Sequence, residues 1–343
     1  MVKLYPFLIL LSPVLCFSQR NAITMDDLLT ISSIAPKQVD NYMTKKGFLC
    51  PGKKSAGELP MTFFEKVKKG KQDSLVQNRF IELFEREDDY CLLFRTCSNA
   101  EYQSGIEFFK SKGFVWEKLP DSAMLSRHKF RKSNIIVDAQ EKWEEGEKVY
   151  NILVQRKILP HPSSIRYAED LLQFDSHEYL AAYFGAANVK KDVFYFSEHE
   201  LKKCSVLFGN TSRQAVFIWE NENSLSEISF VLISGLLPTL SAVEYSGNIS
   251  QNTWELKSGI RTGMRLKELM ELNGNDFNFF GNSSEFSLMV EPVNTGALNF
   301  EKTGIMLSCF DNYSPILARS KISAAEAAEK GLSVYVAYVM VSR

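Results

Sequence analysis

Asp175-Ser-His-Glu-Tyr-Leu-Ala-Ala-Tyr-Phe-Gly185 reads as one short helix with both ends marked. Asp175 or Ser176 supplies the side-chain oxygen that a helix start needs. Tyr179, Leu180, Tyr183 and Phe184 fall on one apolar face. Gly185 closes the helix. Four strand-length apolar runs follow, at 193–196, 204–208, 215–220 and 227–233, separated by polar turns. One helix followed by strands joined through short turns builds an antiparallel sheet covered by the helix, the α+β pattern. In 193–196 both faces are apolar, which predicts a sheet covered on both sides.

The same plan recurs on either side. Towards the N-terminus, Ala35-Pro36-Lys37 opens a helix with Val39, Tyr42 and Met43 on one face, and Gly47 stops it. Strands are expected at 79–85 and 90–96, turned at Glu87-Asp88-Asp89. Ser98 or Asn99 then caps a helix bearing Tyr102, Ile106 and Phe109. It ends at Lys112-Gly113-Phe114, an echo of Lys46-Gly47-Phe48 that suggests an internal duplication. Strands at 134–143 and 148–155 follow, turned at Glu145-Gly146. Towards the C-terminus, Thr262 is the expected cap of a helix bearing Leu266, Leu269 and Met270, ended by Asn273-Gly274. Strands are expected at 276–280, 287–290 and 304–310. A helix at 324–330 stops at Gly331. The run 332–341 is apolar on both faces and is expected in a central or covered position.

Ile158-Leu-Pro-His-Pro-Ser-Ser164 breaks this rhythm with two prolines and two serines. It separates an N-terminal duplicated domain, 20–157, from a C-terminal tandem domain, 165–343. Residues 1–18 stand apart. Lys3, the apolar run 4–15 and the small Ser18 have the layout of a secretory signal peptide, with cleavage before Gln19. The run is short for a bilayer span, which takes about 20 apolar residues. The expectation is a secreted or periplasmic protein with no stable membrane insertion after cleavage. The 343 residues carry a net charge of -1, so no global charge recruits nucleic acid. Beyond the leader, Cys50, Cys91, Cys97, Cys204 and Cys309 remain, an odd number that leaves at least one thiol outside any intramolecular disulfide. Cys91 and Cys97 on one extended strand are about 20 Å apart and cannot bridge. A bond from Cys50 to either is conceivable. Buried thiols acting as small apolar side chains are the simpler reading.

Gly259-Ile-Arg-Thr-Gly263-Met264, followed by Leu266, Leu269 and Leu272-Asn273-Gly274, resembles a known signature. It is similar to the helix-then-sheet domains of small-protein-A-type outer-membrane assembly lipoproteins and of tandem-repeat β-lactamase inhibitor proteins. Uncharacterised exported proteins of Bacteroidota carry a similar motif. The resemblance covers roughly 165–310. The chain departs from the pattern after Gly274, where Asn275-Asp276 replaces a usual proline and Gly281-Asn-Ser-Ser-Glu285 replaces an aromatic, glycine-rich turn. The resemblance implies a binding or scaffold module and assigns no catalytic residue.

Motifs for chemistry are thin. His177-Glu178 and His199-Glu200 lack the second histidine four residues on that a zinc helix needs, so both pairs are expected to be exposed polar residues. Ser126-Arg-His-Lys129, Ser246-Gly-Asn248 and Lys302-Thr-Gly304 imitate the three motifs of penicillin-recognising serine enzymes. That chemistry needs the serine at a helix start, and Ser126 lies in a basic stretch that reads as loop or strand. Lys53, Lys54, Lys66, Lys68, Lys69 and Lys71 are expected on a solvated loop. Trp143, Trp219 and Trp254 could stack on sugars, but Trp143 and Trp219 lie in strand candidates and are expected in the core. No catalytic, metal or cofactor residue is assigned. The expected function is that of an exported, non-enzymatic binding or scaffold protein acting on another protein or an envelope component. The alternatives are an exported hydrolase with a dispersed site and an inhibitor of a secreted enzyme.

Overall fold

The computed structural model describes residues 23–51, 59–69, 72–87, 89–122, 125–196, 200–234, 252–309 and 314–343. The signal-peptide reading of 1–18 therefore lies outside the described residues. The fold is α+β, with antiparallel strand pairing. The chain divides into two compact units. One holds the residues up to Lys112 together with Leu119–His128 and Val137–Arg156; the other holds Gly113–Lys118, Lys129–Ile136 and Lys157–Arg343.

The N-terminal elements are α1 (Met25–Ile31), α2 (Pro36–Lys45), β1 (Phe48–Leu49), β2 (Met61–Lys69), β3 (Gln72–Arg86), β4 (Asp89–Thr96), α3 (Asn99–Ser111), β5 (Val115–Ser122), β6 (Leu125–Lys132), β7 (Ile135–Glu144) and β8 (Glu147–Lys157). A helix and four strands thus occur twice in the same order. Their strands form one eight-stranded sheet, β1-β2-β3-β4-β8-β7-β6-β5. Both Lys-Gly-Phe helix ends use a left-handed glycine, Gly47 at φ 81° and Gly113 at φ 75°. The Glu145-Gly146 turn has both residues at positive φ, as a tight hairpin requires. Val39 and Met43 of α2 and Tyr102, Ile106 and Phe109 of α3 are buried, as are Phe63, Ile81, Phe94, Ile152 and Val154 of the sheet. Each such side chain contributes ~2 kcal/mol by leaving water. Lys66, Lys68 and Lys69 lie in β2, paired with β3, rather than on a loop. Lys53, Lys54 and Lys71 lie outside the described residues.

Two charges, Asp27 buried and Arg79 half-buried, brace this part. Asp27 accepts from Tyr42 Oη, from the Thr24 backbone and hydroxyl, and from Lys46 Nζ, which clasps α1 to α2. Arg79 reaches Glu65 at 2.7 Å and Glu101 at 2.8 Å, with its guanidinium over the rings of Phe48 and Phe94.

The C-terminal elements are α4 (His177–Phe184), β9 (Val189–Tyr195), β10 (Leu201–Leu207), β11 (Ala215–Asn221), β12 (Ser226–Ser234), α5 (Leu266–Asn273), β13 (Asn278–Phe280), β14 (Thr303–Cys309), β15 (Lys321–Ser323), α6 (Ala324–Glu329) and β16 (Val334–Ser342). The main sheet runs β14-β16-β12-β11-β10-β9, and β13 pairs with β15 separately. The closing strand β16 is interior, between β14 and β12, which explains its two apolar faces. One sheet face packs against the helices through Phe174, Leu180, Phe217, Trp219, Val231, Leu269, Ala327 and Val336. The other carries Cys204, Val216, Ile218 and Leu232.

Two local expectations fail. The cap of α5 is Arg265, whose backbone N–H donates to Glu268 at 2.9 Å. Thr262 is fully buried, and its hydroxyl accepts the Asn252 N–H instead. Residues 287–290 form no strand. They make single bridges, Val290 to Phe279 and Met289 to Met306, that lie along the outer edge of β14.

Candidate functional site

His177 opens α4, where Ser176 caps the helix by accepting the Tyr179 N–H at 3.3 Å. It is not the exposed residue that the sequence suggests. Its Nδ1 lies 2.9 Å from Ser205 Oγ on β10, and the same oxygen accepts Trp219 Nε1–H at 3.0 Å. The Ser205 hydroxyl, with one proton and two lone pairs, either donates to Nδ1 or accepts from it, according to the imidazole tautomer. Burial, aided by the Lys191 charge, pushes the His177 pKa down to about 4, so the ring is neutral at ordinary pH. Burial also pushes Glu178 up, although Lys191 stands 3.6 Å from its carboxylate.

This group has the residue types of a serine nucleophile and its base but not the access. Ser205 is 0% exposed on an interior strand, so no substrate carbonyl can approach its oxygen. The His177–Ser205–Trp219 chain is a strut that ties α4 to the sheet. Beside it, Arg131 donates to Glu117 at 3.0 Å, and Asn221 and Ser224 donate to the same carboxylate. Arg131 and Glu117 answer each other, and the two neutral donors complete the carboxylate's shell, which marks a structural network.

The other residues flagged in the sequence are dispersed. Ser126 and Lys129 lie on strand β6, where positions three apart point to opposite faces. Lys302-Thr303-Gly304 leads into β14, and Ser246-Gly247-Asn248 lies outside the described residues, as does His199. His161 caps a 3-10 turn through the Ser163 N–H. No group of three or more His, Cys, Asp or Glu side chains could hold a metal among the described residues. None of the five cysteines among the described residues is in a disulfide. Trp219 and Trp254 are buried, whereas Trp143 is 61% exposed rather than in the core.

What remains open is the outer hairpin of the C-terminal sheet. Among the described residues no strand lies beyond β9. Val193 and Tyr195 of β9 and Leu201 of β10 are exposed on one face, Tyr195 by 66% and Leu201 by 55%, and these two sit opposite each other in register. Phe196 is exposed just beyond the strand. The ladder between β9 and β10 is bracketed by Phe208 N–H to Asn188 O and Phe196 N–H to Glu200 O. The even residues Lys190, Asp192 and Phe194 therefore bond β10, and the odd residues Val189, Lys191, Val193 and Tyr195 turn N–H and C=O to the open edge. Consistent with this, the Val193 N–H is met by the Asp192 carboxylate at 2.8 Å. The opposite edge, β14, is covered: Val290 donates to Ile305 O, and Leu307 donates to Leu288 O. Set against family models, curated proteins and solved structures, the chain finds no match. The edge residues were missed in the sequence because 193–196, apolar on both faces, reads as a covered strand. The signal that could have found them is Lys190-Lys191, since lysines are characteristic of edge strands.

Proposed function

We propose that the protein is an exported, non-enzymatic binding protein that grips another protein or an envelope component. The observation that carries the reading is the exposed apolar hairpin end, Val193, Tyr195, Phe196 and Leu201, on an otherwise well-packed sheet. Large apolar side chains gathered at one exposed place mark interaction surfaces. The sealed Ser205 and the absence of a metal-binding cluster among the described residues leave that hairpin as the feature most suited to a partner. Export rests on the leader-like pattern of residues 1–18, and the resemblance of 165–310 to binding and scaffold modules points the same way.

The test compares the mature protein with a Tyr195→Asp, Leu201→Asp double variant in cross-linking on intact cells. Both positions are exposed, so circular dichroism and melting should match those of the parent. The parent is expected to give one stoichiometric adduct that the variant loses. A substrate turned over by the purified protein, with turnover lost on a point substitution, would overturn the reading in favour of a hydrolase.

A further inference from the structure

We infer that the open edge of β9 takes an extended, acidic peptide segment of the partner as an added strand. This rests on the binding function just proposed and names its mode and partner chemistry. Strand addition needs main-chain donors and acceptors at an edge and side-chain positions that select the guest. The edge supplies both. Val189, Lys191, Val193 and Tyr195 present their N–H and C=O groups outward. Residues 190–193 are all exposed.

The charge around the edge selects the guest. Within β9 and β10, Lys190, Lys191, Lys202 and Lys203 stand against one carboxylate, Asp192, and Lys191 is paired with Glu178 of α4 at 3.6 Å. Asp192 is itself committed to the Val193 amide. That contact is informative: an outward amide of the edge already holds an acidic acceptor, in the place where a guest strand would present its carbonyl. A guest with Asp or Glu at alternate positions meets Lys190 and Lys202, which share the face opposite Val193, Tyr195 and Leu201. Its intervening apolar residues meet Val193, Tyr195 and Leu201, which share one face.

The experiment uses the full mature chain and a synthetic strand-length peptide alternating glutamate with valine and tyrosine. A lysine-for-glutamate counterpart is the control, and both are read by fluorescence anisotropy. The acidic peptide should bind and weaken with salt; the basic one should not bind. Val193→Pro is the decisive variant. It removes an outward N–H and fills its place with a ring, while every bond from β9 to β10 survives, since proline is tolerated where a strand's N–H faces solvent. Binding should fall by about tenfold or more, the loss expected when a guest loses one backbone bond and meets a steric block. Should Val193→Pro fail to fold, Lys190→Glu with Lys202→Glu serves instead, and preference should pass to the basic peptide.

Unchanged binding in a folded Val193→Pro variant, or equal binding of both peptides, overturns strand addition by an acidic segment. A dimer of the parent in sedimentation that Val193→Pro dissolves also overturns it, by giving the edge to a second copy. If the Tyr195→Asp, Leu201→Asp variant loses its cellular partner while Val193→Pro keeps it, the binding function stands and the strand mode falls.

Discussion

Asp27 shows how a single side chain can fix a local fold. Burial alone would raise its pKa, but hydrogen bonds from Tyr42, Thr24 and Lys46 outweigh that and hold it down at about 2, against an ordinary 3.8. Burial, together with the same contact, pushes the Tyr42 phenol up to about 12. A carboxylate depressed in the folded state stabilises the fold above its unfolded pKa and stops doing so as pH falls through the folded one. The contribution of Asp27, ~2 kcal/mol for a shift of this size, should thus be present above 3.8 and fade towards about 2. Asp27→Asn should lower stability at neutral pH by a similar amount and flatten the acid limb of the curve. Urea titrations of both proteins from neutral pH down to acid measure this, and parallel curves would contradict it. His177 adds to acid sensitivity at higher pH, because its neutral form is the one the fold accepts.

At the scale of elements, Gly105 is the tightest joint of α3. A Cβ there would lie 2.9 Å from Ile152 Cδ1 on β8 and 3.1 Å from Met25 Sδ on α1. Alanine favours a helix by about 1 kcal/mol, and the atoms its Cβ would press are the ends of the flexible Ile152 and Met25 side chains, which can shift. Gly105→Ala should therefore change stability by less than ~1 kcal/mol, and thermal melting reads it directly; a loss of several kcal/mol would show that the joint is rigid. Helices α2 to α6 were legible in the sequence because each carries its own punctuation, whereas α1 was not foreseen. Ser98, Ser176, Gly47, Gly113, Gly185 and Gly274 stand where the structure starts or stops a helix. The strands of 189–234 were legible because polar turns separate apolar runs. By contrast, β2, β5 and β6 were not foreseen: their lysines and arginines mask the alternation that a half-exposed strand should show. Residues 287–290 have strand composition, yet they lie only as a short flank along β14. The candidate site was the least legible part. Exposure of Tyr195 and Leu201 depends on which strand ends the sheet, and strand order is a property of long-range pairing that no local pattern contains.

For the whole molecule, the thiols give a simple global readout. Cys91, Cys204 and Cys309 are buried, Cys50 is half-buried and Cys97 is exposed. Burial pushes Cys204 up to about 12, far from the thiolate that alkylating reagents attack. Brief iodoacetamide treatment of the native chain should modify Cys97 first and spare Cys91, Cys204 and Cys309 until denaturant is added, as counted by intact mass. Rapid loss of all five thiols in native buffer would mean that the core opens freely. No helix among the described residues is long and apolar enough to cross a membrane. Finally, the interior place of β16 orders events in time. Of the six strands in its sheet, it leaves the ribosome last, yet it pairs with both β12 and β14. Until residues 334–342 have been made, β14 stays unjoined to the four strands β9 to β12, which can pair only with one another.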